Sequence, residues 1–220
     1  VFGFTNVDLV DVIAIEGGAS IPYTVSPSGQ VTLDPGVDPL EGWTNDDGSV
    51  FGLLGVQTTG TPIITDVTHE IMVAVKLPTT TPAMGNAVFK LYPVVSGADE
   101  NGLTEMVSLR SISSLTFNAG ATEATADFTS RGYQRATDIA QVEALVDTDD
   151  APFNYIVTID ANGVTGAIDM SFSDSLEDET SSLKGFISED GSMMVLRIIE
   201  SDDTAGEKFR ANGMVIGIRQ

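Results

Sequence analysis

Apolar and polar residues alternate with period two along most of this chain, the pattern of strands that bury one face. Ile21–Val25 and Val31–Leu33 flank Ser26–Gln30, whose turn residues predict a hairpin. The same alternation predicts strands from Val50 onward and over Glu70–Leu77, Ala87–Val95, Met106–Phe117, Thr122–Thr129, Phe153–Ile159, Val164–Phe172, Met193–Ile199 and Gly213–Ile218. Asp47-Gly48, Asn162-Gly163 and Asp190-Gly191 place glycine where a tight hairpin needs positive φ. Helix is scarce. Asp138–Val146 carries apolar residues at 139, 142, 145 and 146 behind Thr137 as an N-cap, and Asp8–Ile15 is a more β-branched version of the same segment. The expected fold is all-β, an antiparallel barrel or sandwich with one or two short helices.

The chain contains an internal duplication. Leu40–Leu53 lies over Leu183–Leu196 without a gap, with six identities in fourteen, and at the same offset of 143 Ile71–Lys76 meets Met214–Arg219. Upstream the offset is 130, where Asp8–Val12 lies over Asp138–Val142 and Pro22 over Pro152. The slippage places an insertion in the polar, acidic stretch Ser171–Thr180 of the second copy. Residues 1–77 therefore read as the later part of one β unit, 78–85 (PTTTPAMG) as a short extended linker, and 86–220 as a complete second unit. The first copy lacks a counterpart to roughly 86–130, which leaves unpaired backbone along an edge. The second copy can lend its edge so that both share one sheet or barrel, another chain can supply the strand, or the native chain extends before Val1. The first is the expectation.

These residues also carry a resemblance. Tyr23, Val25, Gly29, Val31, Leu33, Leu40, Gly42, Asp47, Gly48 and Ser49, with Leu183, Gly185, Asp190, Gly191, Ser192 and Gly213–Arg219 in the second copy, form a pattern similar to uncharacterised β-repeat domains of bacterial secreted proteins and lipoproteins. In the second copy Tyr155 and Gly163 stand two residues further apart than Tyr23 and Gly29. The resemblance implies export and an antiparallel barrel like lipocalins or avidins in outline, and it implies no catalytic residue.

Composition narrows the function. The 220 residues carry 10 Lys and Arg against 32 Asp and Glu, a formal charge of −22, with 42% apolar residues, one histidine and no cysteine. Disulfides, thiolate metal sites and a cysteine nucleophile are excluded, and one histidine cannot build a usual zinc site. The charge repels nucleic acid and anionic membranes, and no apolar run is long enough to span a bilayer. An acidic surface with four lysines suits salt water or an extracellular setting. The first residue is Val1, consistent with a removed leader or an excised piece of a longer chain.

The acidic loops offer the main candidate chemistry. Asp46, Asp47, Glu189 and Asp190 head a set that also includes Asp99-Glu100, Asp147, Asp149-Asp150, Asp174, Glu177–Glu179, Glu200 and Asp202-Asp203. Hard carboxylate oxygens in loops suit calcium, but none of these matches an EF-hand ladder, and solvated turns are the simpler reading. No cofactor is expected, with calcium the one candidate. His69 has no Gly-x-Ser-x-Gly elbow beside it, and its repeat partner is Asn212, which cannot act as a base. No phosphate loop is present. Trp43 and Phe186 share one repeat position, as core anchors or as an aromatic platform for a sugar or apolar ligand. The expected role is therefore non-enzymatic: a secreted or cell-surface protein that binds a protein partner or self-assembles. A barrel-type carrier of a small apolar or sugar ligand is the alternative, and a glycoside hydrolase with paired carboxylates is a weaker one.

Overall fold

The computed structural model describes residues 2–6, 12–16, 23–33, 40–59, 66–99, 104–105, 113–127, 129–135, 142–148, 153–174, 179–202 and 209–220. The chain divides into two compact units, one of residues 1–3 and 15–76 and the other of residues 4–14 and 77–220.

The first unit holds a five-stranded antiparallel sheet in the order β3 (Tyr23–Val25), β4 (Gln30–Leu33), β5 (Leu40–Thr44), β6 (Val50–Thr59) and β7 (Asp66–Val75). Two earlier strands, β1 (Phe2–Asn6) and β2 (Val12–Glu16), pair with each other. One face of the sheet buries Val31, Leu33, Leu40 and Leu53, with Phe51 and Met72 packed against them.

The second unit is a closed barrel. Its strands are β8 (Val88–Asp99), β10 (Ser113–Phe117), β11 (Glu123–Asp127), β14 (Phe153–Ile159), β15 (Ala167–Asp174), β16 (Glu179–Ile187), β17 (Met193–Asp202) and β18 (Phe209–Arg219). Each pairs antiparallel with the next, and β18 and β10 both pair with β8, which closes the ring. A short β9 (Thr104–Glu105) folds back on β8, and between β11 and β14 the chain makes a separate hairpin of β12 (Thr129–Arg135) and β13 (Val142–Thr148). Eight strands leave an interior just wide enough for side chains to fill. Here Phe89, Leu91, Leu115, Phe117, Met170 and Leu183 are among its fully buried residues, and Phe89 meets Phe117 edge to face at 6.0 Å.

The duplication holds at the level of strand register. Val50 pairs with Val75 and Leu53 with Gly42 in the first sheet, and 143 residues on Met193 pairs with Ile218 and Leu196 with Gly185. Strands β5, β6 and β7 thus repeat as β16, β17 and β18. Val31 faces Gly42 as Ile168 faces Gly185, so β4 corresponds to β15, and Tyr23 opposite Leu33 matches Val157 opposite Met170, so β3 corresponds to β14. Val12 and Val142, aligned in the sequence, open β2 and β13. The order β1–β7 is therefore the order β12–β18 over again, and β8 to β11 have no earlier counterpart.

Three expectations change. The described part of the predicted helix 138–146 is strand β13, and the helical turn that does occur, a 3₁₀ turn at Ala161–Gly163, lies elsewhere. Pairing with β12 decides for strand. Among the described residues the first sheet pairs with no strand of the barrel, and the β8–β10 pairing closes the barrel on itself. The loop glycine equivalent to Gly29 (φ +82°) is Gly166 (φ +79°), each directly ahead of its strand, rather than Gly163.

Residues 78–85 hold neither strand nor helix, bend at Thr79 and Thr80, and lie against the barrel. Pro78 is buried and Met84 packs in the barrel core. The Thr81 hydroxyl donates to the Asp160 carboxylate, and the Arg219 guanidinium donates to the Ala83 carbonyl at 3.1 Å. Thr81 and the Gly166 N–H together hold the Asp160 carboxyl below its usual pKa.

Inward glycines let the strands cross closely. A Cβ on Gly185 would come within 2.0 Å of the Val195 carbonyl oxygen, and one on its counterpart Gly42 within 1.8 Å of the Gly52 oxygen. Gly185→Ala is therefore expected to cost about 3 kcal/mol or more by forcing backbone apart, whereas Gly48→Ala, with open space but φ +71°, costs about 1–2 kcal/mol. Urea midpoints of the two variants check the order.

Candidate functional site

The acidic candidates sit in two copies of one turn. In the first, the Asn45 side-chain oxygen accepts the Val50 N–H at 2.9 Å and the Asp47 carboxylate accepts the Ser49 N–H at 2.9 Å, around Gly48. In the second, the Ser188 hydroxyl oxygen accepts the Met193 N–H at 3.0 Å. Asp190 there accepts from the Ser188 hydroxyl, the Ser192 N–H and the Ser192 hydroxyl at 2.7, 3.0 and 2.7 Å. Those donors lower the Asp190 pKa to about 2. Asp47 and Asp190 thus serve as buckles for their own hairpins. Asp46 and Glu189 are exposed beside them. Among the described residues no three His, Cys, Asp or Glu side chains gather into a metal-sized group; residues 100, 149–150, 177–178 and 203 lie outside those described.

Trp43 is not a core anchor. Leu40 is buried, and Gly42 stands opposite buried Leu53, so the residue between Gly42 and Thr44 faces outward, and Trp43 is 63% exposed. Phe186 holds the equivalent place on β16 and is half-buried. The two aromatics mark the same outward position of two separate sheets. His69 lies in β7 opposite Val56, at the register position of Asn212.

Inside the barrel one polar pair stands out. The Tyr155 hydroxyl and the Ser181 hydroxyl are 2.9 Å apart and buried. Burial pushes the Tyr155 phenol well above its usual pKa, and the charges of Glu200 and Glu179 push the same way, against the Ser181 hydrogen bond. Phe172 packs on this ring at 6.0 Å and on Phe153 at 4.9 Å. These groups form a packed, satisfied end of the core.

The unfinished sheet is the feature that reaches furthest. In the barrel, β11 covers β14 and β8 covers β18; in the first sheet, among the described residues, no strand pairs on the outer side of β3 or β7. Val157 is 6% exposed in the barrel, while its counterpart Tyr23 is 57% exposed, and Val25, the counterpart of half-buried Ile159, is 50% exposed. Tyr23 leans on Phe51, with ring centroids 5.8 Å apart. The two edges differ. A Cβ at Gly213 would come within 2.2 Å of the Val94 carbonyl oxygen where β8 crosses β18. The matching residue of β7 is Glu70, so β7 cannot take a β8-type strand in that geometry. Sequence alignment showed the missing segment, but the exchange of glycine for glutamate gains meaning only once the crossing is known.

No family model and no curated protein matches this chain.

The Asp190 buckle has a pH signature. Its folded pKa lies below the unfolded value, so its stabilisation is present above about pH 4 and is lost as pH falls through about 2. Asp190→Asn is expected to flatten the acid limb of stability between those values. The effect is below about 1 kcal/mol, because the carboxylate is exposed and solvent-screened. Thermal midpoints from pH 5 to pH 2 check it.

Proposed function

We propose that this is a non-enzymatic, secreted or cell-surface protein that binds a protein partner by β-strand addition to β3 of the first sheet. The observation that carries the reading is the contrast between two copies of one structure. The same strand position is buried where a neighbour strand covers it and exposed, with Tyr23 and Val25, where none does. An added strand satisfies the edge N–H and C=O groups and covers that apolar pair, the usual source of affinity in such binding. Glu70 blunts β7, so addition is one-sided. The acidic, lysine-poor composition supports an extracellular setting. The filled barrel interior gives the carrier reading no support.

A chain with a second copy of residues 86–130 fused ahead of residue 1 tests the reading. That segment brings a β11-type strand to β3, as β11 covers β14. Amide exchange across β3 is expected to slow at least tenfold, and adding Glu70→Gly is expected to extend the protection to β7. Unchanged exchange at β3 in both fusions would falsify strand addition there.

A further inference from the structure

The outer face of the first sheet is a reworked copy of a face that the barrel keeps closed. Across β4, β5 and β6 one outward row runs Gln30, Trp43, Gly52. The matching row of the barrel is Ala167, Phe186, Val195. That row is apolar throughout, with Ala167 buried and Phe186 and Val195 half-buried. In the first sheet an amide replaces the alanine and glycine replaces the valine, and the indole between them stands 63% exposed. Glu41, Gly52 and Leu54 are exposed beside it. A single exposed apolar residue is ordinary; the exchanges around this one are what carry meaning.

Gly52 is the informative member. Glycine weakens a strand interior, and its presence there marks a bulge, a tight bend, a close backbone approach or a ligand. The pairing of Gly52 with Trp43 on one side and Val73 on the other runs through without a bulge. A Cβ on Gly52 would meet nothing within 4 Å, and its φ lies outside the left-handed region. The close crossing at Gly42 needs no glycine here either, because Gly185 crosses β17 as tightly with Val195 in the corresponding place. What remains is space. The first sheet has a hollow beside the indole where the barrel has a valine side chain.

The chemistry around the hollow selects its occupant. The indole offers a flat apolar surface whose π face is electron-rich, a match for the C–H face of a sugar ring. Gln30 across from Trp43, and Glu41 two residues before it, supply an amide and a carboxylate for hydroxyls at the ring's rim. A purely apolar ligand would strip water from Glu41 and give it no partner. An anionic one would find no cation, since residues 1–75 contain no Lys or Arg, and the chain's charge of −22 repels it. A neutral, hydroxyl-rich ring meets each of these conditions.

We propose that the outer face of the first sheet is a carbohydrate-binding site, in which a neutral pyranose ring stacks on Trp43 over Gly52 and its hydroxyls bond to Gln30 and Glu41. Tyr23 and Val25 stand opposite Leu33 and Val31 on the other face. Sugar binding and strand addition at β3 therefore hold or fail separately.

Trp43 is the single tryptophan of the chain, so its fluorescence reports on the site directly. The full chain is titrated with cellohexaose, xylohexaose, maltohexaose and chitohexaose. Polygalacturonate serves as the anionic comparison and N-phenyl-1-naphthylamine as the apolar one. At least one neutral hexaose is expected to shift the Trp43 emission saturably, with a dissociation constant below about 1 mM. Trp43→Ala is expected to abolish the heat of binding in calorimetry. Gly52→Val, which restores the barrel's residue, is expected to weaken binding roughly tenfold without lowering the unfolding temperature or changing amide exchange at β3. A wild type that binds none of the four hexaoses overturns the proposal, as does binding that survives either substitution. A stronger response to polygalacturonate or to the naphthylamine than to any hexaose would assign the face to another ligand class and overturn it equally.

Discussion

Backbone crossing backbone without a side chain between them is the constraint on which this molecule rests. Gly185 and Gly213 let β16 lie on β17 and β18 lie on β8 at distances that no Cβ would permit. Strands that coil this tightly can meet after eight, and the β8–β10 pairing completes the ring. Closure in turn removes every edge from the barrel and makes a continuous apolar interior, from Phe89 through Met170 to Val215. Without those glycines the same alternation would make a flatter, open sheet.

The first unit shows what the repeat becomes without its leading strands. Gly42 is kept where β6 still crosses β5, and Glu70 replaces glycine where no strand crosses β7. Among the described residues its core cluster holds four buried side chains, against twenty in the barrel. A charge on an edge strand is one of the ordinary means by which proteins prevent unwanted pairing. The opposite edge carries exposed Tyr23 and Val25 instead, so the two edges of the sheet differ in kind.

Much of this was legible in the sequence, for reasons that differ by element. The ungapped match at offset 143 survives because β5, β6 and β7 must keep register with one another, and an inserted residue would turn every later side chain over. The Asp-Gly turns were legible because their chemistry is local. Asp138–Val146 reads as helix because Ile139, Val142, Leu145 and Val146 fit a helical spacing, whereas the β12 partner that makes Val142–Thr148 a strand is a tertiary fact. Parity with Leu40 and Gly42 puts Trp43 outside, which decides between the two readings that its size alone leaves open. The closing β8–β10 pair and the exchange of Gly213 for Glu70 needed the crossing geometry.

The stretch from Pro78 to Met84 has a mechanical meaning. It joins the two units and is also seated on the barrel, through Thr81 on Asp160, Arg219 on Ala83, and Met84 in the core. A pull arriving through residue 76 meets these small attachments one after another, as a zipper opens, before it loads the strand ladders.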